Sequence, residues 1–293
     1  MPKGKIVKAL SGFYYVQYEG GLVQCRGRGN FRQKKITPLV GDYVEFEYHN
    51  KKEGYILAIA ERENQLTRPP IANVDQAIIV TSVKEPDLSL NLLDKFLVLV
   101  ESKSIQPLLF FTKMDLLEEE EESNVRQKLA YYQTIGYEVE FLSTKDRELN
   151  HQLSVHLNHK VSVFAGQSGV GKTSLLNKII PDLQLETDDI SESLGRGKHT
   201  TRHVELITFE EGLIADTPGF SALDFKEIKL EVLPECFPEF VELQNQCKFR
   251  GCMHIKEPKC AVKAALDKGE ILDDRYQNYL QFVEEIKNRK PRY

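Results

Sequence analysis

Through the first 62 residues apolar and polar positions alternate at the spacing of extended chain, and no stretch of helical period interrupts them. KIVKAL, GFYYVQYE, GLVQCRG, DYVEFEYH and GYILAIAE each read as a short strand, with Gly and Asn between them. Five such strands in residues 1–62 predict a small closed barrel of the OB-fold type, an architecture that often binds RNA. Arg68-Pro69-Pro70 then interrupts regular structure and marks a linker over 63–73. From Val74 to Asp216 apolar strands alternate with amphipathic helices: DQAIIVTSV, SLNLLDKFLVLVES, PLLFFT, EEESNVRQKLAYYQTI, YEVEFLS, a segment near ELNHQLSVHLN, VSVFAG and TSLLNKII. This alternation predicts an α/β domain over 74–222, with a mostly parallel sheet covered by helices on both faces. Residues 223–293, which include DDRYQNYLQFVEEIKNRKPRY, are expected as a mostly helical third domain.

Composition adds constraints. The chain has 293 residues, 41% hydrophobic and 28% charged, with no apolar run near the roughly 20 residues of a membrane span. Its start, MPKGKIVKAL, lacks the apolar stretch of a secretory signal, and five Cys cannot all pair internally, which favours a reducing cytoplasm. The net charge of -5 conceals three regions. Residues 1–62 carry 11 Lys and Arg against 6 Asp and Glu, and residues 246–293 carry 11 against 7, which leaves -14 in between. Basic ends around an acidic centre suggest that the ends approach a polyanion. In RGRGNFRQKK, cations at Arg26, Arg28, Arg32, Lys34 and Lys35 surround Phe31, which either stacks on a base or folds back onto the barrel. The acid run Glu118 to Glu122 reads as a helix N-terminus.

The clearest chemistry follows Ala165. Gly166-Gln167-Ser168-Gly169-Val170-Gly171-Lys172-Thr173 matches G-x-x-x-x-G-K-[ST] between an apolar strand and a helix. Its backbone N–H groups would surround a β-phosphate, Lys172 would reach the β- and γ-phosphates, and the Thr173 hydroxyl would ligate Mg²⁺. Asp216-Thr217-Pro218-Gly219 ends a later strand, offering Asp216 to the Mg²⁺ side and Gly219 as a γ-phosphate sensor. Thr112-Lys113-Met114-Asp115 follows the strand PLLFF, where Asp115 would accept the guanine N1–H and exocyclic amine and Lys113 would lie along the base. Leu142-Ser143-Thr144-Lys145, at the next strand end, takes the place of an element that contacts guanine O6.

In most GTPases the phosphate loop comes first and the guanine element last, so this G domain reads as circularly permuted. Permutation is tolerated where the old termini lie close together. The segment after DTPG then leads directly into the C-terminal region, so the GTP state is expected to reorient that region. Gly195-Arg196-Gly197-Lys198-His199-Thr200-Thr201-Arg202 is the natural first switch, with either Thr200 or Thr201 covering Mg²⁺ and the γ-phosphate. Phe220 stands where Ras-like enzymes place a Gln to orient water. His199 is therefore the candidate for that task, the alternative being a solvated loop histidine, while Arg196 and Arg202 could contact phosphates or RNA.

Cys247-x4-Cys252-x-His254-x5-Cys260 is a complete Cys₃His set, the donor count of a closed structural zinc site. Lys248, Arg250, Lys256, Lys259 and Lys263 surround it, whereas Cys25 and Cys236 read as buried small hydrophobes.

Taken in order, the barrel, RPPIANVD at Arg68 to Asp75, TKMD, GQSGVGKTSL, GRGKHTTR, DTPGF and the Cys₃His spacing resemble the circularly permuted, ribosome small-subunit-dependent GTPases of the RsgA type. The resemblance covers the whole chain and implies a GTP hydrolase using GTP with Mg²⁺ and one structural Zn²⁺. It implies a late-acting factor that binds the small ribosomal subunit and its rRNA, is stimulated by it and then dissociates, without a membrane partner. It also implies a catalytic role for His199. The chain is expected to be a cytoplasmic monomer. Two other classes remain open on the residues alone: a metal-insertion factor whose Cys₃His site handles metal in transit, and an RNA-binding protein that only senses GTP.

Overall fold

Five strands close on themselves at the N-terminal end of the chain, in a computed structural model that describes residues 1–29, 31, 36–143, 149–180, 204–216 and 225–289. They are β1 (Lys3–Leu10), β2 (Phe13–Tyr18), β3 (Gly21–Gly27), β4 (Tyr43–Asn50) and β5 (Glu53–Ile59). Pairing runs β1-β2-β3-β5-β4 and returns from β4 to β1, with β3 and β5 parallel, so the wall has no free edge. Alternation turns Ile6, Val16, Val23, Phe46 and Ile56 inward, where all are fully buried. Register shifts at Ile6/Lys8 in β1 and Glu45/Phe46 in β4 supply the local bends that closure needs. At the rim, buried Asp42 accepts from Leu39 N at 2.7 Å and from Arg62 Nε and Nη2 at 2.7 and 2.8 Å.

The segment expected as a structureless linker contains a hairpin of β6 (Gln65–Thr67) and β7 (Pro70–Ala72). A two-stranded ribbon has two outer edges, so a proline at the start of β7 is tolerated without breaking the ladder. Asn64 bonds the backbone of Val74, while Asn73 bonds Glu63 N and Gly41 O, which fastens the hairpin to the barrel rim.

Beyond it come β8 (Gln76–Ser82), α1 (Leu90–Glu101), β9 (Gln106–Thr112), α2 (Glu119–Thr134) and β10 (Glu138–Phe141). The strands lie in the order β10-β9-β8, with β10 and β9 parallel. Residues 107–112 of β9 are all buried, as expected for a strand covered on both faces. The acid run begins α2 as expected, with the Glu118 N–H donating to the Glu121 carboxylate at 3.1 Å. Next are α3 (Leu149–Leu157), β11 (Val161–Ala165), α4 (Lys172–Ile179), β12 (Val204–Phe209) and β13 (Gly212–Asp216). β11 and β13 are parallel, β13 and β12 form a hairpin, and β12 pairs with the barrel strand β1 at Lys8↔Glu205 and Ala9↔Val204. The chain ends in short 3-10 turns at Phe225–Glu227 and Leu230–Cys236, then α5 (Pro238–Leu243), α6 (Ala261–Asp267) and α7 (Asp273–Lys287). Among the described residues no helix is long and apolar enough to cross a membrane.

By contact the chain forms two compact units. The first holds Met1–Gln76, Arg147–Phe164 and Thr173–Phe220; the second holds Ala77–Asp146, Ala165–Lys172 and Ser221–Tyr293. The core of the second unit contains charge. Arg275 of α7, 1% exposed, donates to Asp94 of α1 and to Glu239 of α5, each at 2.5 Å. Asp94 also accepts from Tyr132 Oη at 2.8 Å and Asn278 Nδ2 at 2.7 Å. Burial pushes the Asp94 carboxyl up, against the pull of Arg275 and these hydrogen bonds. Although burial opposes its charge, Asp94 and Glu239 hold Arg275 well above its ordinary range. Asn91 bonds Asn278 and Gln281, and Lys95 bonds Glu285, so the α1–α7 seam is polar along its length.

Candidate functional site

The phosphate loop leaves β11 at Ala165 and is shaped by two glycines. Gly166 has φ +141°, and a Cβ there would lie 2.2 Å from the Val80 carbonyl of β8, so no other residue fits. Gly171, at φ +95°, turns the chain into α4, whose first two residues are Lys172 and Thr173. Val170 is buried and anchors the loop, while Gln167, Ser168 and Gly169 are exposed. Lys172 Nζ donates to the carbonyls of Gly166 at 2.8 Å and Gln167 at 2.5 Å. Burial pulls its pKa down to about 8, which a bound phosphate would reverse.

The guanine element stands beside this loop. Thr112, the buried last residue of β9, donates from Oγ1 to the Val170 carbonyl at 2.7 Å and so ties the two motifs together. Lys113 turns through φ +63° and donates to the Glu85 carbonyl, and Met114 is buried beneath it. Asp115 projects to solvent, where Ser143 Oγ donates to its Oδ1 at 3.3 Å. Residues distant in sequence thus meet, with Ser143 holding one oxygen of the Asp115 carboxylate.

Sequence reasoning missed the turn after β8. Ser82 Oγ holds the Pro86 carbonyl at 2.6 Å, Val83 N bonds Thr112 O, and Pro86 lies beside Gly169, where an added Cβ would meet its ring at 3.6 Å. The turn therefore borders both the phosphate loop and Lys113, and its only sequence signal is the breaker Lys84-Glu85-Pro86-Asp87 after a strand. Asp216 ends β13, paired in register with Glu205. His199, Thr200, Thr201, Gly219, Phe220, Arg196, Arg202, Thr144 and Lys145 lie outside the described residues, as do Arg32, Lys34 and Lys35 of the barrel loop. Phe31 is half-buried, with its ring 3.7 Å from where a Cβ on Gly27 would lie.

The second cluster is Cys247, Cys252, His254 and Cys260, whose ligand atoms all lie within 4.8 Å of one another. His254 Nδ1 is 3.3 Å from Cys260 Sγ and 3.7 Å from Cys247 Sγ, and the two sulfurs are 4.0 Å apart. Tetrahedral zinc with Zn–S of about 2.3 Å separates its sulfur ligands by about 3.8 Å, so the set fits. The Glu257 carboxylate accepts from the N–H groups of Met253, Ile255 and Lys256, which shapes the loop presenting His254. Burial pushes the Cys252 thiol up to about 12 and holds the His254 imidazole below its ordinary pKa. The imidazole is therefore a neutral donor, and burial of the Cys252 thiol leaves a bound cation to favour its ionised form. Cys25 and Cys236 are buried apart from this cluster, their thiols pushed up to about 11 and about 12 by burial.

A glycine-shaped phosphate loop, a threonine that ties it to the guanine strand, and motifs in the order TKMD before GKT define a circularly permuted P-loop GTPase, here joined to a five-stranded barrel and a cysteine-bearing helical segment. The family model described as RsgA GTPase matches residues 59–226, and that for the RsgA N-terminal domain matches residues 3–56. The chain belongs to the RsgA GTPase family and is a GTP hydrolase. It is 60% identical over 293 residues, the full length of both, to the Small ribosomal subunit biogenesis GTPase RsgA 2 of Oceanobacillus iheyensis. Among solved structures it is similar to YloQ, described as a circularly permuted GTPase, at 52% identity and TM-score 0.86, over 100% of this chain and 97% of that one. It is also similar to YjeQ from Thermotoga maritima, at 37% identity and TM-score 0.86, over 99% of each chain.

Proposed function

We propose that the protein binds the small ribosomal subunit, assists its late assembly, hydrolyses GTP when the subunit stimulates it, and then dissociates. The observation that carries this reading is the Thr112–Val170 bond, which joins a phosphate loop to a guanine-reading strand in a chain so close to a relative named for small ribosomal subunit biogenesis. In this reading the backbone of 165–171 would surround the phosphates, Lys172 would bind the β- and γ-oxygens, and Thr173 and Asp216 would hold Mg²⁺, which when bound would supply charge neutralisation. Thr112 and Met114 fix the guanine loop, Lys113 lies along the base, Asp115 reads it, and Ser143 orients Asp115. Gly219 would sense the γ-phosphate, Thr200 or Thr201 would cover Mg²⁺, and His199 would position the attacking water, a task Phe220 cannot perform.

Cys247, Cys252, His254 and Cys260 would hold one zinc in a structural role, the four donors being the full count of a closed site. The barrel at 1–62 and the zinc-bearing helical domain at 223–293 address rRNA, the linker at 63–73 leads into the G domain at 74–222, and the protein acts as a cytoplasmic monomer. The test is phosphate release from GTP and from ATP, with small ribosomal subunits and with large subunits as control. Stimulation by small subunits, with GTP alone, is the expected result. A rate that no ribosomal particle alters would end the assembly-factor reading.

A further inference from the structure

We propose that the Cys₃His cluster and the guanine nucleotide site are energetically coupled through α7 and α1, with Arg275 and Asp94 as the positioning pair that joins them. Consecutive residues of α7 reach the His254 loop and the helix α1. Tyr276 donates to the His254 carbonyl at 2.6 Å and Tyr279 donates to the Met253 carbonyl, so the loop presenting His254 is fastened to α7. Arg275 is fastened to Asp94 of α1. Leu92, Leu93 and Phe96 of α1 face Gln167 and Val170 of the phosphate loop across a cavity of about 10 Å³, room for one water. The path is thus loop, α1, Asp94, Arg275, α7 and the His254 carbonyl, all within one compact unit.

Two features make this path responsive as well as structural. Asp94 is fully buried and Glu239 nearly so, and any movement of α7 that withdraws the guanidinium strands two carboxylates without a counter-charge. The join therefore holds or breaks rather than stretching. The cavity leaves α1 unfilled space against the loop, so a loop drawn in by phosphates changes the packing of the helix that carries Asp94. Coupling of this kind is reciprocal: nucleotide tightens the metal by the factor by which the metal tightens nucleotide.

The proposal rests on the reading that the cluster takes zinc, and its test uses the full-length, zinc-loaded protein. Zinc affinity is measured by competition with a chromophoric chelator, with and without saturating GDP. GDP is expected to tighten zinc about fivefold, the lower end of measured site-to-site couplings. Asp94→Asn is expected to abolish the difference while zinc still binds, and Tyr132→Phe, which removes one hydroxyl from Asp94, to reduce it. Equal zinc affinity with and without GDP in the parent chain overturns the proposal, as does a full GDP effect in Asp94→Asn. Should Asp94→Asn fail to fold, Tyr276→Phe combined with Tyr279→Phe decides, since an undiminished GDP effect without either bond to the His254 loop also overturns it. A parent chain that holds no zinc removes the zinc reading and the coupling together, whereas bound zinc indifferent to GDP removes the coupling alone.

Discussion

The barrel and the C-terminal helices are of similar length, and the barrel and residues 246–293 both carry an excess of basic residues, yet their interiors differ in kind. The barrel closes a backbone ladder around Ile6, Val16, Val23, Phe46 and Ile56, and its buried carboxylate, Asp42, is at the rim with Arg62. The helices pack around Arg275, Glu239, His254 and the cysteines, with Asp94 of α1 completing the charge cluster. A closed apolar core is sensitive to lost volume and tolerant of lost polar contacts. A core of paired charge and clustered cysteines has the opposite sensitivity, because each partner left behind is buried without compensation.

Zinc removal separates the two most sharply. Chelation should cost the helical segment on the order of 10 kcal/mol, as in zinc-finger peptides, and expose the amides of α6 and α7 to hydrogen exchange while β1 to β5 stay protected. Simultaneous loss of barrel protection would erase the contrast. Single substitutions come next. Phe46→Ala should destabilise the barrel by about 3–5 kcal/mol through its cavity, and Arg275→Met the helices by about 3–5 kcal/mol through Asp94 and Glu239, both read by urea unfolding followed segment by segment. The comparison sharpens if Asp94→Leu and Glu239→Leu are added to Arg275→Met. The triple variant should recover much of the loss, since an apolar replacement of a whole buried ion cluster is often neutral, and no second change should rescue Phe46→Ala in this way.

Buried charge also governs the phosphate loop, on a smaller scale. Lys172, with its pKa pulled down to about 8 by burial, is charged below that pH and progressively neutral above it. Bound phosphate favours the charged form, so binding above pH 8 must take up a proton. GDP affinity should be flat below about pH 8 and fall as pH rises further, by up to about tenfold or 1.4 kcal/mol per unit, and Lys172→Met should bind weakly without that slope. A slope that survives in Lys172→Met would assign it to another group. The smallest effect belongs to the barrel surface, where Tyr18 and Tyr48 share a hydroxyl hydrogen bond at 2.8 Å. Tyr18→Phe should change stability by about 0.5 kcal/mol, and a loss like that of Phe46→Ala would show that the barrel too depends on polar contacts.

The elements legible in the chain are those whose physics is local. Strand alternation located β1 to β5 because every second side chain must turn inward, and the phosphate loop was visible because its glycines, lysine and threonine are consecutive. The Cys₃His set was visible because four ligands fall between Cys247 and Cys260. Other features had no local signature. Arg68-Pro69-Pro70 concealed a hairpin, since proline is compatible with an unpaired edge. Asp94 looks like a polar interruption in LNLLDKFLVLVE, and nothing near it announces a guanidinium 181 residues away.

By itself the sequence determined which segments extend, which coil, and which side chains are available to hold phosphate, guanine and metal, because backbone preference and motif spacing act over a few residues. Only the tertiary structure decided that Thr112 bonds the phosphate loop, that β12 pairs with a barrel strand, that Ser143 orients Asp115, and that Arg275 joins the helices of the cysteine cluster to the helix behind that loop. Those contacts depend on which surfaces the packed core brings face to face, and on the need of each buried charge for a partner wherever in the chain one is found.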